Sequence, residues 1–266
     1  MPSLVVLPGD GIGPEVVNAA LSVLAAVCEA ADAQVSIDVH HIGGHAIDEF
    51  GTPLPAETLE ACREADAVFL GAVGGPAWDH LRGEQRCEAG LLGLRRGMEV
   101  FANVRPVRVH PHLVDRTTLR PEVVHGTDLV IVRELTGGAY FGQPKERTGS
   151  GVSEIARDSI VYTTAEIERV ARVAFTLATS RRGELISVDK ANVLITSQLW
   201  RDVVTRMAAE FPGVTLTHER VDSFAMRMVR EPSTIAVGVT ENLFGDILSG
   251  DAAVRAGSLC RLPAAS

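Results

Sequence analysis

Nowhere in the chain do lysines and arginines gather into an extended basic stretch, and a formal net charge of −9 with a pI near 5.4 leaves little to neutralise a phosphate backbone. A small molecule, with no nucleic acid, is therefore the expected partner. No window holds enough uninterrupted apolar residues to span a bilayer, and Met1-Pro2-Ser3 leads into a strand-like run in place of a basic and hydrophobic signal region. The expectation is a cytoplasmic protein with no membrane contact. Cysteine is scarce: Cys28, Cys62, Cys87 and Cys260 show no paired metal-ligand spacing. Free thiols in a reducing compartment are expected. Internal repeats and low-complexity linkers are missing too.

The chain does have length and apolar content. Its 266 residues, 46% hydrophobic, suffice for one large domain or two medium ones with a sizeable core. Short β-rich runs alternate with helical periods, the pattern of an α/β protein. Strands are predicted at residues 4–7, 35–39, 67–73, 104–109, 129–132, 185–188, 214–217 and 235–239. Between them, Val17, Leu21, Leu24 and Cys28 recur at helical spacing, as do Ile167, Val170, Ala174 and Leu177, and Leu199, Val203 and Met207. Further helices are predicted at 55–65 and 88–100, and a last one from Leu243. Residues 137–162 break the rhythm, being rich in Gly, Ser and charge. They read as a disordered loop or as an extended hairpin that needs a partner.

Several clusters carry chemical information. Gly9-Asp10-Gly11-Ile12-Gly13 follows a strand and opens a helix, yet its third glycine comes two positions after the second, one short of the dinucleotide fingerprint. A tight turn and a ligand contact both remain open. Gly74, Gly75, Pro76, Ala77 and Trp78 end a strand, where α/β proteins place ligands; an ordinary loop is the plainer reading. Glu88, Leu91, Leu92 and Arg95 fall at i, i+3, i+4 and i+7, so one helix face presents a carboxylate, two branched aliphatics and a guanidinium. That face suits a ligand with a branched arm and a carboxylate, against the alternative of leucines that merely pack.

Arg105 and Arg133 each interrupt or end an apolar strand and should be paired or face a cleft. Together with Arg95 they point to a polyanionic small molecule. Tyr140, one of two tyrosines, sits among glycines that let its hydroxyl approach a ligand or let its ring anchor the loop. Lys190 follows an apolar strand, so partial desolvation can make its ammonium a proton carrier. Asp222 and Asp246 stand near the starts of predicted helices. They offer hard oxygen ligands for Mg²⁺, with N-capping as the competing role.

Residues 9–15, 74–78, 88–95, 101–106, 132–142, 188–194, 221–226 and 242–249 resemble, in order, successive motifs of 3-isopropylmalate dehydrogenase in the isocitrate/isopropylmalate dehydrogenase family. The resemblance runs along the whole chain. It implies a two-domain α/β/α sandwich with a mixed sheet and a protruding arm, the first domain being incomplete. Residues 1–100 would form a cofactor-side domain, with 252–266 starting its return segment, and 101–251 a substrate, metal and dimer domain including the arm at 137–162.

The resemblance also implies NAD-dependent oxidative decarboxylation of 3-isopropylmalate with Mg²⁺ or Mn²⁺, in leucine biosynthesis. Arg95, Arg105 and Arg133 would bind the carboxylates, and Leu91, Leu92 and Val193 the isopropyl group. Glu88, Asn192 and the 74–78 segment would contact NAD. Lys190 would help remove the hydroxyl proton, with Asp222 beside it on the substrate; Tyr140 would protonate the enol, and Asp222 with Asp246 would hold the metal. A homodimer sharing its sites follows, because relatives supply Lys190 and Asp222 from the second subunit.

Departures from the family pattern are local and terminal. Gly250 stands where a second metal aspartate belongs, and Asp251, one place later, points about 100° away on a helix. Arg255, Cys260 and Arg261 replace apolar residues or glycine. The family continues past Ser266, so weak folding or weak NAD binding is expected of this chain. A sibling enzyme acting on isocitrate, homoisocitrate or tartrate, and a catalytically inactive remnant, are the alternatives.

Overall fold

Valine- and leucine-rich runs with both faces buried are what a parallel sheet between two helical layers requires, and the computed structural model assembles them that way. It describes residues 1–117, 119–255 and 264–266. Packing divides the chain into Met1–Glu99 and Val100–Ser266.

The first unit runs β1 (Ser3–Gly9), α1 (Gly13–Ala30), β2 (Ser36–Val39), α2 (Gly44–Phe50), α3 (Ala56–Glu64), β3 (Ala67–Ala72) and α4 (Cys87–Gly97). Its sheet has the order β2-β1-β3, all parallel. Val5, Leu7, Ile42, Cys62 and Leu94 form its core. Helix α2 escaped the sequence reading because it is short and lacks a long apolar period. Two glycines in the positive-φ region, Gly43 and Gly51, bracket it.

Helix α1 corrects one expectation. It is 18 residues long with a mean hydropathy of 1.3, long and apolar enough to cross a membrane by length and composition, and only 11% of it is buried. Val17 is its apolar anchor against the sheet, while Val16, Val23 and Val27 are exposed. The expected sheet-facing stripe is thus only half realised: Leu21, Leu24 and Cys28 are partly buried.

The second unit runs β4 (Ala102–Arg108), α5 (Pro121–Val124), β5 (Asp128–Glu134), β6 (Glu146–Thr148), β7 (Ile155–Arg157), α6 (Thr164–Thr179), β8 (Glu184–Asp189), α7 (Ile195–Met207), β9 (Thr215–Arg220), α8 (Val221–Arg230), β10 (Val237–Thr240) and α9 (Asn242–Arg255). Its main sheet has the order β4-β5-β10-β8-β9; β4 is antiparallel to β5 and the rest are parallel. One face packs Val132, Val239 and Leu185 against Ile167, Phe175, Trp200 and Val203 of α6 and α7. The other packs Val107, Ile131 and Ile186 against Phe224, Met228 and Leu248 of α8 and α9. The result is an α/β/α sandwich with a mixed sheet.

Within residues 137–162 the extended-hairpin alternative holds. Strands β6 and β7 pair antiparallel from Glu146↔Arg157 to Thr148↔Ile155. All six of their residues are exposed, and Arg147–Glu154 and Arg157–Glu146 ion pairs cross the ladder. The described residues beyond 251, assigned from sequence to a return toward the first domain, lie in the second unit. Ala252 and Ala253 are buried there, and Ala265 bridges Val104. The side chain of Arg255, Cys260 and Arg261 lie outside the described residues.

Candidate active site at the carboxyl edge of the second sheet

Register brings the site together before any side chain is considered. Thr240 of β10 lies between Arg133 of β5 and Val188 of β8, so the parallel strands end along one line. The residues just past those ends, Asn242, Lys190 and Asp222, therefore share the carboxyl edge, where open α/β sheets bind ligands. Arg105 arrives from antiparallel β4. Because Asn103 opposes Arg133 and Arg105 opposes Ile131, the two-residue pleat puts both arginines on one face.

Arg133 is almost wholly buried, 2% exposed, and held at each of its three nitrogens. Its Nε and Nη2 donate to Asn242 Oδ1 at 3.0 and 2.8 Å, and its Nη1 donates to Asp246 Oδ1. Helix α9 can approach this stem only because residue 245 is glycine: a Cβ there would meet Arg133 Cγ at 2.6 Å and Cβ at 2.7 Å. The Tyr140 hydroxyl donates to Asp246 Oδ2 at 2.6 Å, and its ring lies under the Arg133 guanidinium at 5.4 Å. Burial, then the Asp246 carboxylate, pushes the Tyr140 hydroxyl above its ordinary pKa. It keeps its proton.

The Arg105 Nε donates to Asn103 Oδ1 at 2.6 Å. Burial first, then the Arg133 charge, lowers the Arg105 guanidinium from its usual value. A buried guanidinium that carries the cost of a second one on the same face can receive an anion, since a bound carboxylate would remove that cost.

Lys190 and Asp222 form a second cluster. The ammonium donates to Asp222 Oδ1 at 2.8 Å, and that contact holds the Asp222 carboxyl below the usual carboxylate range. Asp222 is the second residue of α8 and no N-cap. The pair follows β8 and β9, so two strand spacings, roughly 10 Å, separate Lys190 from the end of β5. Asn192 and Val193, on the turn after Lys190, are exposed.

A divalent cation such as Mg²⁺ takes about six oxygens, several of them from water, and is commonly held through one or two carboxylates. Among the described residues no three His, Cys, Asp or Glu side chains come together. Asp246 uses both oxygens on Arg133 and Tyr140, Asp222 is paired with Lys190, and open space surrounds Gly250. Asp251 is half-buried on α9. Asp222 and Asp246, the expected metal pair, are each held by neighbours within the chain, Lys190 for the one and Arg133 with Tyr140 for the other.

The remaining predicted residues belong to the first unit. Cys87, Gly90 and Leu94 are the buried stripe of α4, so the leucines of the predicted face are not its core side. Leu91, Leu92 and Arg95 are half-buried and Glu88 is exposed. Gly74, Gly75, Trp78, Arg82, Arg86 and Glu88 line a cavity of about 140 Å³. That is room for one end of a dinucleotide, short of the 300 Å³ or more of a whole small-molecule pocket. Pro76 and Ala77 cap its rim in an exposed turn.

Asp10 organises this region and was read from sequence only as part of a glycine turn. Buried to 1%, its carboxylate accepts the N–H groups of Gly44 at 2.7 Å, His45 at 2.9 Å and Gly74 at 2.7 Å. Asp10→Ala strands three donors. It is expected to cost about 3 kcal/mol of unfolding free energy, with Asp10→Asn losing less, as read by urea denaturation. Asn242, Glu241 and Asn103 were likewise missed, because polar residues at strand ends read as solvated. Their one signal is position beside an arginine-bearing strand end.

Fold and site together define an α/β protein that gathers two arginines and a protonated phenol at the carboxyl edge of a mixed sheet. The chain belongs to the isocitrate/isopropylmalate dehydrogenase family, whose model matches residues 3–266, and it is an enzyme. The 3-isopropylmalate dehydrogenase of Halalkalibacterium halodurans is 55% identical over 263 residues, 99% of this chain and 72% of the relative. That of Parasynechococcus marenigrum is 53% identical over 99% and 74%. Among solved structures, the isocitrate dehydrogenase of Methylococcus capsulatus is similar with a TM-score of 0.83 at 34% identity, covering 99% of this chain and 74% of that one.

Proposed function

We propose that the chain catalyses the NAD-dependent oxidative decarboxylation of (2R,3S)-3-isopropylmalate to 4-methyl-2-oxopentanoate, a step of leucine biosynthesis, in the cytoplasm. The observation that carries this reading is the buried Arg133 held between Asn242 and Asp246 with the Tyr140 hydroxyl alongside. The relatives' names supply the substrate. Arg105 and Arg133, with Arg95, bind its carboxylates, and Leu91, Leu92 and Val193 meet its isopropyl group.

Gly74, Gly75, Pro76, Ala77, Trp78, Glu88 and Asn192 would hold NAD, which when bound would supply the acceptor for the hydride of the hydroxyl-bearing carbon. Lys190 takes part in removing the hydroxyl proton with Asp222: the ammonium passes one of its protons to the Asp222 carboxylate as it takes up the proton of the hydroxyl. The resulting carbonyl takes the electron pair of the departing carboxylate as CO₂ leaves. Tyr140 then gives its phenolic proton to the carbon that lost the carboxylate. Mg²⁺ or Mn²⁺ would be held by Asp246 together with Asp222 of the partner protomer and would supply charge stabilisation at the developing enolate; no step is routed through it.

The active unit is a homodimer in which Lys190 and Asp222 of one protomer serve the site of its partner, with the arm at 137–162 pairing across. The separation of Lys190 from the Arg133 end of the sheet supports this, as do the wholly exposed strands β6 and β7.

Initial rates of NADH formation with 3-isopropylmalate, isocitrate, homoisocitrate and tartrate test the reading. A kcat/KM for 3-isopropylmalate about 100-fold above that for isocitrate is expected, since leucines leave a third carboxylate unpaired. Equal rates would overturn the substrate, and no NADH with any acid would overturn the activity.

A further inference from the structure

Behind the substrate arginine lies a polar layer that the reaction above does not use. Asn242 opens α9, and its Oδ1 meets both Nε and Nη2 of Arg133 in one orientation only. Three contacts fix that orientation. Its Nδ2 donates to the Gly137 carbonyl oxygen at 3.1 Å, and its backbone N–H donates to the Tyr162 hydroxyl at 2.9 Å. That hydroxyl in turn donates to Glu241 Oε2 at 3.2 Å. Glu241 Oε1 accepts the Phe244 N–H at 2.9 Å, so the same carboxyl closes the first turn of α9.

The layer is rigid on both sides. Tyr162 precedes the Thr163–Glu166 capping box that starts α6, and its ring meets Trp200 edge-on at 5.9 Å. Glu134 Oε2 accepts the Gly137 N–H at 2.8 Å, and its Oε1 accepts the Thr136 hydroxyl at 2.6 Å. Glu134 and Glu241 are 0% and 7% exposed. Two carboxyls buried this deeply are expensive, and apolar residues would fill the same space at less cost. Their retention calls for a role beyond packing.

We propose that Tyr162 and Glu241 are positioning residues for substrate binding: through Asn242 they lock the Arg133 guanidinium by its Nε and Nη2, which turns its outer edge, where Nη1 also holds Asp246, toward a carboxylate. The assignment rests on the function proposed above. An arginine fixed before the ligand arrives loses little freedom on binding. Because it grips a carboxylate before and during the reaction, loosening it raises KM and spares kcat.

The test uses the full chain with Tyr162→Phe, Asn242→Ala and the double variant, beside Glu241→Gln and Glu241→Leu. Initial rates are measured with 3-isopropylmalate varied at saturating NAD and Mg²⁺. Nitrogen-15 spectra follow the Arg133 Nε–H, assigned by its loss in Arg133→Lys. Tyr162→Phe should raise KM about 10-fold, the loss of one buried hydrogen-bond link, with kcat held within about twofold. The Arg133 signal should broaden or shift. In the Asn242→Ala background the same change should add less than about twofold, since both act through one contact. Glu241→Gln, which keeps the acceptor for Phe244, should restore most of what Glu241→Leu loses, and this pair carries the test if Tyr162→Phe does not fold.

KM effects that multiply across the single variants, or an unchanged KM with an unmoved Arg133 signal, would overturn the proposal. Should the unsubstituted protein make no NADH, the functional reading fails by itself. The Arg133 signal then decides the positioning role alone, and an Nε–H unmoved in both Tyr162→Phe and Glu241→Leu sinks it.

Discussion

Arg133→Ala is expected to lower kcat/KM by about 10⁴-fold. A guanidinium–carboxylate hydrogen bond contributes about 1.5–3 kcal/mol, and two of them are lost. The damage extends further, because Asp246 then faces the incoming carboxylate with no cation between them. Asn242 Oδ1 is also left unpaired in a buried site. Arg133→Lys keeps the charge but not the Nε and Nη2 fork, so a loss of about 10²-fold is expected. Initial rates on both variants decide the matter, with thermal melts to separate folding from binding. An alanine variant within tenfold of the parent would show that Arg133 is structural.

Tyr140→Phe should cut kcat by about 10³-fold, the usual worth of a positioned proton donor. Stability should barely change, since the side chain is only half-buried and loses one hydrogen bond, to Asp246. The pH dependence carries a sign. Burial and Asp246 hold the hydroxyl's folded-state pKa above its ordinary 10.0. The proton therefore contributes stability below pH 10, and that contribution fades as pH rises through the folded value. The parent enzyme should show no alkaline loss of rate from Tyr140 below about pH 10. An inflection near pH 8 that disappears in Tyr140→Phe would contradict this assignment.

What could be read in the sequence followed what periodicity encodes. Strands β5, β8 and β10 were legible as unbroken apolar runs, and their observed ends extend to Glu134, Asp189 and Thr240 because backbone ladders continue where side chains turn polar. The α4 face of Glu88, Leu91, Leu92 and Arg95 was legible because its core stripe, Cys87, Gly90 and Leu94, runs one residue out of step. The pairing of Lys190 with Asp222 needed the β8–β9 register, which no local pattern states. Asn242, Asp10 and Glu241 were illegible for a related reason. Each satisfies groups far away in the chain, and a lone polar residue in sequence carries no mark of what it will face. Asp246 stood near a helix start and invited a capping role; in the folded chain it lies a full turn inside α9, shared by Arg133 and Tyr140.

The bare backbone at Gly245 ties two distant positions into one unit of change. A side chain at 245 would have to occupy the volume of the Arg133 stem, so a first mutation at 245 is penalised by the residue at 133, while a first mutation at 133 is penalised by loss of its charge. Because the Cβ of residue 133 is itself within 2.7 Å, only glycine there would clear the space at 245, and that would discard the charge that the site is built around. Neutral drift thus has no single-step path through this pair. Among folded variants, a change at Gly245 is expected to be accompanied by loss of the arginine, and the chemistry is shielded by steric epistasis as much as by its own selection.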